Sequence, residues 1–259
     1  MTIKKFRDSV YGYIKIPSEI VHSIIDTAAF QRLRNIRQTS YEPLYPGALH
    51  NRFVHSLGVY HLGKIAFSAL RKSVESDQKL TKIINWDRYE YLFTLACLLH
   101  DIGHSPFSHT GEEFYTKSKS SKVINKDNDY SCQKLLSQLT DDEIFCSPKG
   151  SEPAPHEIMS CIVALENFGK LFNSMEERSF FARCITGLQY DEKINDNMQD
   201  KAVENAKRKN LFDCMIHMLH SSVIDVDRLD YIIRDAAISG YQSVSIDYER
   251  LLNGIFHYL

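Results

Sequence analysis

The stretch CLLHDIGHSPFSH, residues 97–109, places four ionisable side chains directly behind an apolar run. The run YLFTLACLL, which ends at residue 99, predicts a buried helix. His100 and Asp101 follow this helix at once, and Gly103 and Pro106 interrupt helical structure before His109. A buried ionisable group is unfavourable unless it is paired or binds a metal. The stretch therefore indicates a polar site at the end of a core helix.

The rest of the sequence predicts an all-α fold. The chain has 259 residues, 43% of them hydrophobic and 25% charged, which is enough for a sizeable core. Apolar residues recur with helical spacing in most segments, and strand signals are limited to YGYIKIP near the start and SVSI at 243–246. We expect one domain over residues 1–259, with at most a small β ribbon. Because the final segment YERLLNGIFHYL is apolar and helical in pattern, it packs back on the domain or marks a truncation.

Local signals place some helix ends and loops. Ser18, after Pro17, is a predicted N-cap, and Asp26 or Thr27 is a second. Polar composition predicts surface loops at 71–84, 116–131 and 190–209.

Charge and cysteine usage exclude several classes of protein. The net charge of −2 provides no broad basic field, so binding to nucleic acid or to an anionic membrane is not expected. The six cysteines form no C-x-x-C pair, which excludes a zinc ribbon and a thioredoxin-like motif. The start MTIKKFRDSV is not a secretory signal, and the longest apolar run is too short to span a bilayer. We expect a cytoplasmic protein, or one from another reducing intracellular compartment.

A divalent metal is the simplest explanation of His100 and Asp101. Imidazole and carboxylate together suit Mn, Fe, Zn or Mg, but two ligands do not complete a site. His55 on the inner face of a helix is a further candidate, with Arg52 one turn earlier. Among the acids of SSVIDVDRLDYIIRDA, the residues alone do not choose between Asp225, Asp227 and Asp230 as a further ligand. Taken singly, His55 is more simply a hydrogen-bonded histidine, and each acid a cap or surface residue.

HDIGH also has the H-x-x-x-H spacing of zinc proteases. In those enzymes a Glu between the two histidines is the base, and here Asp101 is shorter. Gly103 and Pro106 break the helix where that motif needs continuity. The protease interpretation is therefore disfavoured.

Several motifs, in order along the chain, resemble those of HD-domain phosphohydrolases. They are IIDTAAFQRLRNIRQ, YPGALHNRFVHSLGVYHL, HDIGHSPFSH and DVDRLDYIIRD. Together they resemble the deoxynucleoside triphosphate triphosphohydrolases of this superfamily, in the branch typified by the SAM-and-HD-domain enzymes. The cyclic-dinucleotide phosphodiesterase branch has a Gly-Tyr-Pro element, whereas SGYQS at 239–243 lacks the proline.

The resemblance implies an HD-domain helical fold and a role for each matching residue. The implied metal ligands are His55, His100, Asp101 and Asp227, and the residues implied to act on the α-phosphate are His104, His109 and His156. His109 is the implied general acid, which Glu112 would orient, although Glu112 is equally well a solvated helix residue. Arg52 and Arg228 match triphosphate-binding positions, and Gln38, Tyr231 and Asp235 match sugar-binding positions. Asp26, Gln31 and Arg34 match the guanine-nucleotide activator site, where a cap and a solvated arginine are the simpler alternatives.

The implied reaction converts a deoxynucleoside triphosphate and water to the deoxynucleoside and triphosphate. Metal would lower the pKa of a bound water, and imidazole would protonate the leaving 5′-oxygen. A different nucleotide or phosphoester substrate is one alternative, and a non-catalytic nucleotide sensor is another. The resemblance also implies a homo-oligomer with a GTP or dNTP activator. Because the family continues past residue 250 with a further phosphate-binding arginine and much of the interface, we expect a dimer or higher oligomer whose response to GTP is weak or absent.

Overall fold

The chain begins with a two-stranded antiparallel hairpin, β1 (Ile3–Asp8) and β2 (Gly12–Pro17), in which Ile3 pairs with Pro17 and Asp8 with Gly12. The computed structural model describes residues 2–39, 44–75, 77–112, 153–190, 199–241 and 246–254. The predicted strand YGYIKIP forms β2. Strand β1 was not predicted, because its residues IKKFRD are mostly charged, and in the structure its side chains are largely exposed.

Helices make up most of the remaining described chain, which confirms the predicted fold class. They are α1 (Ser18–Ile20), α2 (Ala28–Gln31), α3 (Arg52–Ser73), α4 (Trp86–Leu99), α5 (Pro155–Phe168), α6 (Met175–Thr186), α7 (Asp200–Leu219), α8 (Val226–Ser239) and α9 (Tyr248–Gly254). A π-helical turn, Val21–Ile25, follows α1, and 3-10 turns occur at Arg32–Asn35, Leu80–Lys82, Ser108–Gly111 and Gly169–Leu171.

Two predicted N-caps have different outcomes. Thr27 caps α2, since its side chain accepts a hydrogen bond from the backbone N–H of Phe30. The prediction for Ser18 is wrong, because Pro17 occupies the cap position and Ser18 is already helical. The backbone N–H of Ser18 donates to the carbonyl of Thr2 across the hairpin, so tertiary pairing satisfies it.

The predicted loop at 190–209 is wrong for its second half, because α7 begins at Asp200. The segment DKAVENAKRK is polar, but it is rich in strong helix formers. The other loop at 116–131 and residues 191–198 lie outside the described residues, as do 243–245 of the predicted strand SVSI. Ile246 is not in a strand.

The buried apolar side chains of the described residues form one continuous cluster to which α3 through α9 all contribute. The long helix α3 packs against α4, α8 and α9, with Leu252 of α9 buried in the cluster. In the described chain, no helix combines the length and the apolarity that a bilayer crossing requires. The contacts of α3 with α4 and α8 bring together the start of α3, the end of α4 and the start of α8.

Candidate metal centre and active site

Four side chains meet where these three helices converge. His55 lies in the first turn of α3 and is fully buried. His100 and Asp101 follow the last residue of α4, so they project beyond the core as the sequence predicts. Asp227 is the second residue of α8 and is partly open to solvent.

The donor atoms of this group converge on one point. The Nε2 atoms of His55 and His100 are 3.2 Å apart. Asp227 Oδ1 lies 2.8 Å from His55 Nε2 and 3.5 Å from His100 Nε2. Asp101 Oδ2 lies 3.7 Å and 3.5 Å from the same two nitrogens. Two imidazoles and two carboxylates thus form a compact set of nitrogen and oxygen donors.

The hydrogen bonds behind these imidazoles show that the set fits a cation. His55 Nδ1 contacts Asp230 Oδ2 at 2.7 Å, and His100 Nδ1 contacts the carbonyl of Cys97 at 2.9 Å. Both partners are acceptors only, so each neutral ring carries its hydrogen on Nδ1. The two Nε2 lone pairs then face each other beside two carboxylates. A divalent metal between them is the expected way to relieve that repulsion.

Without metal, protons on the imidazoles supply the positive charge that the neighbouring carboxylates attract. Burial lowers the pKa of His55, but hydrogen bonds to Asp227 and Asp230 outweigh it and raise that pKa to about 10. Burial likewise opposes the charge of His100, Asp101 and Asp227, and the mutual attraction of these groups wins. The pKa of His100 is raised, whereas the pKa values of both carboxyls are lowered. Protons therefore occupy the centre when metal does not, so metal binding must displace them.

Arg52 lies on the cavity side of the same group. Its Nη1 donates to Asp101 Oδ2 at 2.6 Å and its Nη2 donates to Ser108 Oγ at 2.6 Å. Ser108 has a φ of 53°, a left-handed conformation that is uncommon outside glycine. The Ser105 hydroxyl donates to the Ser108 carbonyl and helps to hold this turn. The guanidinium is thus fixed beside the metal donors, facing the cavity.

A second polar group consists of His104, His109, His156 and Glu112. Glu112 Oε1 lies 2.5 Å from His109 Nδ1 and 2.8 Å from His156 Nδ1, so one carboxylate oxygen holds two imidazoles. The His104 ring stacks on His156 at 4.2 Å. Neither His104 nitrogen has a hydrogen-bond partner among the described residues, and burial lowers the pKa of His104 to about 2. His104 is therefore neutral, with its ring held by stacking.

Both groups border one cavity of about 730 Å³. Its lining includes most of the residues to which the sequence assigned a role, namely Gln38, Arg52, Asp101, His104, His109, His156, Asp227, Tyr231 and Asp235. The predicted sugar-binding residues lie on the wall formed by α8 and the segment before α3. Asp235 Oδ1 lies 2.6 Å from His50 Nε2, and His50 is buried. The volume suits a small organic ligand.

Arg228 is not among the residues that line this cavity. Its Nη1 donates to the carbonyls of Ser222 and Val223, in the loop that leads into α8. The structure therefore separates Arg228 from Arg52, the other predicted phosphate-binding residue.

The three predicted regulatory residues are not among the residues that line this cavity. Arg34 Nε donates to Gln31 Oε1 at 2.8 Å, so these two are brought together. Asp26 instead contacts Lys4 and His22, at 3.6 Å and 3.3 Å. The three residues are near each other in the chain, but each already has local partners.

Two supporting contacts were not predicted from the sequence. Arg32 donates to the carbonyls of Ile102 and His104 and so holds the loop after Asp101. The backbone N–H of Gly103 donates to Ser160 Oγ, and a Cβ at position 103 would lie 2.1 Å from the Ser160 backbone nitrogen. Nothing in the segment QRLRNIR distinguishes Arg32 from the other arginines beside it. Gly103 in HDIGH was recognisable from the sequence only as a residue that breaks a helix.

Comparison with known proteins identifies a matching domain family and several similar proteins. Residues 52–152 match the family model of the HD domain. An uncharacterized protein of Mycoplasma genitalium is 28% identical over 254 residues, which cover 96% of this chain and 47% of that protein. The deoxynucleoside triphosphate triphosphohydrolase SAMHD1 of Gallus gallus is 30% identical over 251 residues, which cover 96% of this chain and 36% of the enzyme. The chain thus spans less than half the length of these curated relatives.

A solved structure shares the fold. The crystal structure of a hypothetical protein from Aquifex aeolicus matches with a TM-score of 0.59 and 25% identity. The match covers 97% of this chain and 51% of that protein.

Proposed function

Because this chain carries an HD domain, we propose that it is a metal-dependent phosphohydrolase whose substrates are deoxynucleoside triphosphates. The observation that carries the proposal is the convergence of two histidines and two aspartates beside a fixed arginine, at the wall of a cavity. The proposed reaction releases the deoxynucleoside and inorganic triphosphate. The similarity to SAMHD1 enzymes supports the choice of substrate class.

His55, His100, Asp101 and Asp227 would hold the metal, which is Mn, Fe, Mg or Zn by the chemistry of these donors. When bound, the metal would polarise a phosphoryl oxygen and lower the pKa of a water ligand. The chain contributes the four donor side chains, and the Nδ1 hydrogens of both histidines already bind other acceptors.

Arg52 is the residue placed to bind the phosphate chain. Its guanidinium is buried and tied to Asp101 and Ser108, so little side-chain freedom remains to be lost when an anion binds. Gln38, Tyr231 and Asp235, which line the same cavity, would contact the sugar. We propose no phosphate contact for Arg228 in this conformation, since its guanidinium is bonded to loop carbonyls.

His109 and His156 are the proposed proton carriers. Glu112 accepts from both Nδ1 atoms, which directs the Nε2 atom of each ring away from the carboxylate. His109 is largely exposed at the cavity, so its ring can reach a leaving oxygen. His104 is buried, and we propose that it positions His156 by stacking. This arrangement suits general acid catalysis of 5′-oxygen departure.

The experiment is product identification with each of the four dNTPs, combined with metal analysis of the same protein. We expect about one metal per chain, and inorganic triphosphate with deoxynucleoside as products. Release of monophosphate or pyrophosphate would instead show an HD phosphohydrolase with another cleavage site or substrate. Tight dNTP binding without any product would show a nucleotide sensor.

The group of His104, His109, Glu112 and His156 also has donor atoms close enough to hold a metal. The hydrogen bonds of Glu112 favour the proton-transfer role, because one of its oxygens already accepts from the Nδ1 atoms of His109 and His156. A metal content of two per chain would reverse this assignment.

Oligomerisation and activation by GTP or a dNTP are further proposals, carried by the match of Asp26, Gln31 and Arg34 to the family pattern. Sedimentation with and without GTP would test them. A reducing intracellular compartment is proposed because the cysteines of the described residues are free thiols, most of them buried.

A further inference from the structure

Asp230 lies behind the proposed metal ligand His55, on the side away from the cavity. Its side chain is fully buried in α8. Asp230 Oδ2 lies 2.7 Å from His55 Nδ1. The two carboxylate oxygens also accept from Arg234, from Nε at 2.9 Å and from Nη2 at 2.9 Å. The carboxylate is thus gripped by both arms of a guanidinium while it contacts the imidazole.

The ion pair between Asp230 and Arg234 continues to the N-terminal hairpin. Arg234 Nη1 donates to Asp8 Oδ2 at 2.9 Å, and both residues are buried. The other oxygen of Asp8 accepts the backbone N–H groups of Val10 and Tyr11 in the hairpin turn. Asp8, Arg234 and Asp230 therefore form a continuous buried chain of charged groups, which we term the brace, from the hairpin to His55.

The contact between α3 and α8 leaves space for the Asp230 side chain. A Cβ at Gly58 would lie 1.8 Å from Asp230 Oδ1, so only glycine leaves room for this carboxylate against α3. Gly58 is in the turn that follows His55.

The brace lies behind only one of the two proposed metal-binding histidines, His55. Its two carboxylates and one guanidinium leave one net negative charge behind His55. His100 Nδ1 instead meets a neutral carbonyl, that of Cys97. A carboxylate behind a metal-binding imidazole fixes its tautomer and ring plane and makes Nε2 a stronger donor.

We propose that Asp230, held by Arg234 and Asp8, is a positioning residue that keeps the His55 hydrogen on Nδ1 and aims Nε2 at the metal. The inference rests on the metal centre of the proposed function and assigns a task to three residues outside that centre. Asp230 touches neither substrate nor metal, and it acts through His55.

The test compares Asp230→Asn with Glu177→Gln. Glu177 is a matched control, because it is buried and accepts from both Nε and Nη2 of Arg88, far from the centre. Both substitutions neutralise a carboxylate gripped by an arginine. We expect Asp230→Asn to weaken binding of Co²⁺ by about 10–100-fold and Glu177→Gln to leave it unchanged.

A second measurement follows the tautomer itself. In the Zn²⁺-loaded protein with ¹⁵N-labelled histidine, His55 Nδ1 should give the signal of a protonated ring nitrogen. The Asp230→Asn protein should lose or broaden that signal, whereas the His100 signals persist. If Asp230→Asn does not fold, Asp8→Asn carries the test, with a smaller loss of Co²⁺ affinity expected from the weaker grip on Arg234.

The outcomes separate this inference from the proposed function. Unchanged Co²⁺ affinity and an unchanged His55 signal in the folded Asp230→Asn protein would overturn the inference, whatever the activity. Equal losses in Asp230→Asn and Glu177→Gln would also overturn it, since they would show a general stability effect. Asp230-dependent metal binding without hydrolysis of any dNTP would support the inference and refute the proposed function.

Discussion

Among single residues, Glu112 is central to the proposed proton transfer, because it contacts two imidazoles. Since one of its oxygens accepts from both His109 and His156, loss of His109 leaves the second imidazole in place. We expect His109→Ala to bind metal and nucleotide normally and to lose about 10²–10⁴-fold in turnover. Metal content, nucleotide affinity and single-turnover rate are the measurements.

His22→Ala is the control for this substitution, because His22 is an exposed histidine that does not line the cavity and should keep full turnover. If His109→Ala lost nucleotide affinity instead of turnover, His109 would be a binding residue. The proton donor would then be His156.

Asp101 connects the proposed metal donors to Arg52, the proposed phosphate-binding residue. We expect Asp101→Ala to lose metal and activity together, since it removes a donor and leaves Arg52 buried without its carboxylate. Metal analysis after dialysis, paired with a dNTP hydrolysis assay, measures both. A matched control is Asp87→Ala, which removes an exposed carboxylate that pairs with Arg71. A metal-replete, active Asp101→Ala protein would contradict the site.

Some of these residues could be predicted from the sequence, and others could not. His100 and Asp101 are adjacent to each other and to an apolar run, so their place at the end of a core helix was predictable. The choice of Asp227 among three acids needed the family resemblance. The contacts of His50 with Asp235 and of His55 with Asp230 join positions 185 and 175 residues apart, and only folding brings such pairs together.

At the scale of elements, α5 carries His156 into the cavity from its first turn and is anchored at that end. Glu157 Oε1 lies 2.9 Å from Nε2 of His220, which follows α7. The hydrogen bond to Glu157 raises the pKa of His220, and Asp225 and Asp227 face it with further negative charge. The link between α5 and α7 therefore depends on pH.

A histidine whose pKa is raised by folding stabilises most below its unfolded pKa, about 6.5, and this contribution is lost as pH rises through the folded value. We expect the melting temperature of the wild type to exceed that of His220→Gln most at pH below about 6.5. The difference should shrink at higher pH. Thermal melts of both proteins at constant ionic strength measure it, and a difference independent of pH would refute the linkage.

Helix interiors were predictable from apolar periodicity, but some helix boundaries were not. The π-helical turn Val21–Ile25 and the displaced start at Ser18 depend on hairpin contacts that no local pattern encodes. The start of α7 at Asp200, earlier than predicted, is the opposite case. Here the helix propensity of the local residues determines the structure, and their polarity wrongly indicated a loop.

At the scale of the whole molecule, metal binding and stability should be linked, because the donors come from three helices that pack around one core. At a metal concentration of about 100 times Kd, binding adds about 2.7 kcal/mol to the free energy of unfolding. For a chain of this size that corresponds to a rise of about 5–10 °C in the melting temperature. Scanning calorimetry with and without metal measures the rise.

Asp227→Ala should abolish this rise, because it removes the donor contributed by α8. His61→Ala, which removes a histidine of α3 outside the donor set, should retain it. A similar rise in all three proteins would place the bound metal elsewhere.

The packing of α3 against both α4 and α8 could not be predicted from the sequence. Each helix has an apolar face, but many pairings would bury these faces equally well. The all-α class followed from periodicity, whereas the convergence of three helix ends follows from long-range packing.

The close approach of Gly58 to Asp230 has a consequence for how this sequence can evolve. A side chain at position 58 is incompatible with the carboxylate at 230 and with the guanidinium of Arg234, and only loss of that ion pair removes the reason for glycine at 58. The two positions should therefore change together among descendants of this sequence, with glycine retained wherever the aspartate is retained. Single substitutions at either position would be purged, and a lineage that lost the pair would need a different support for its histidine.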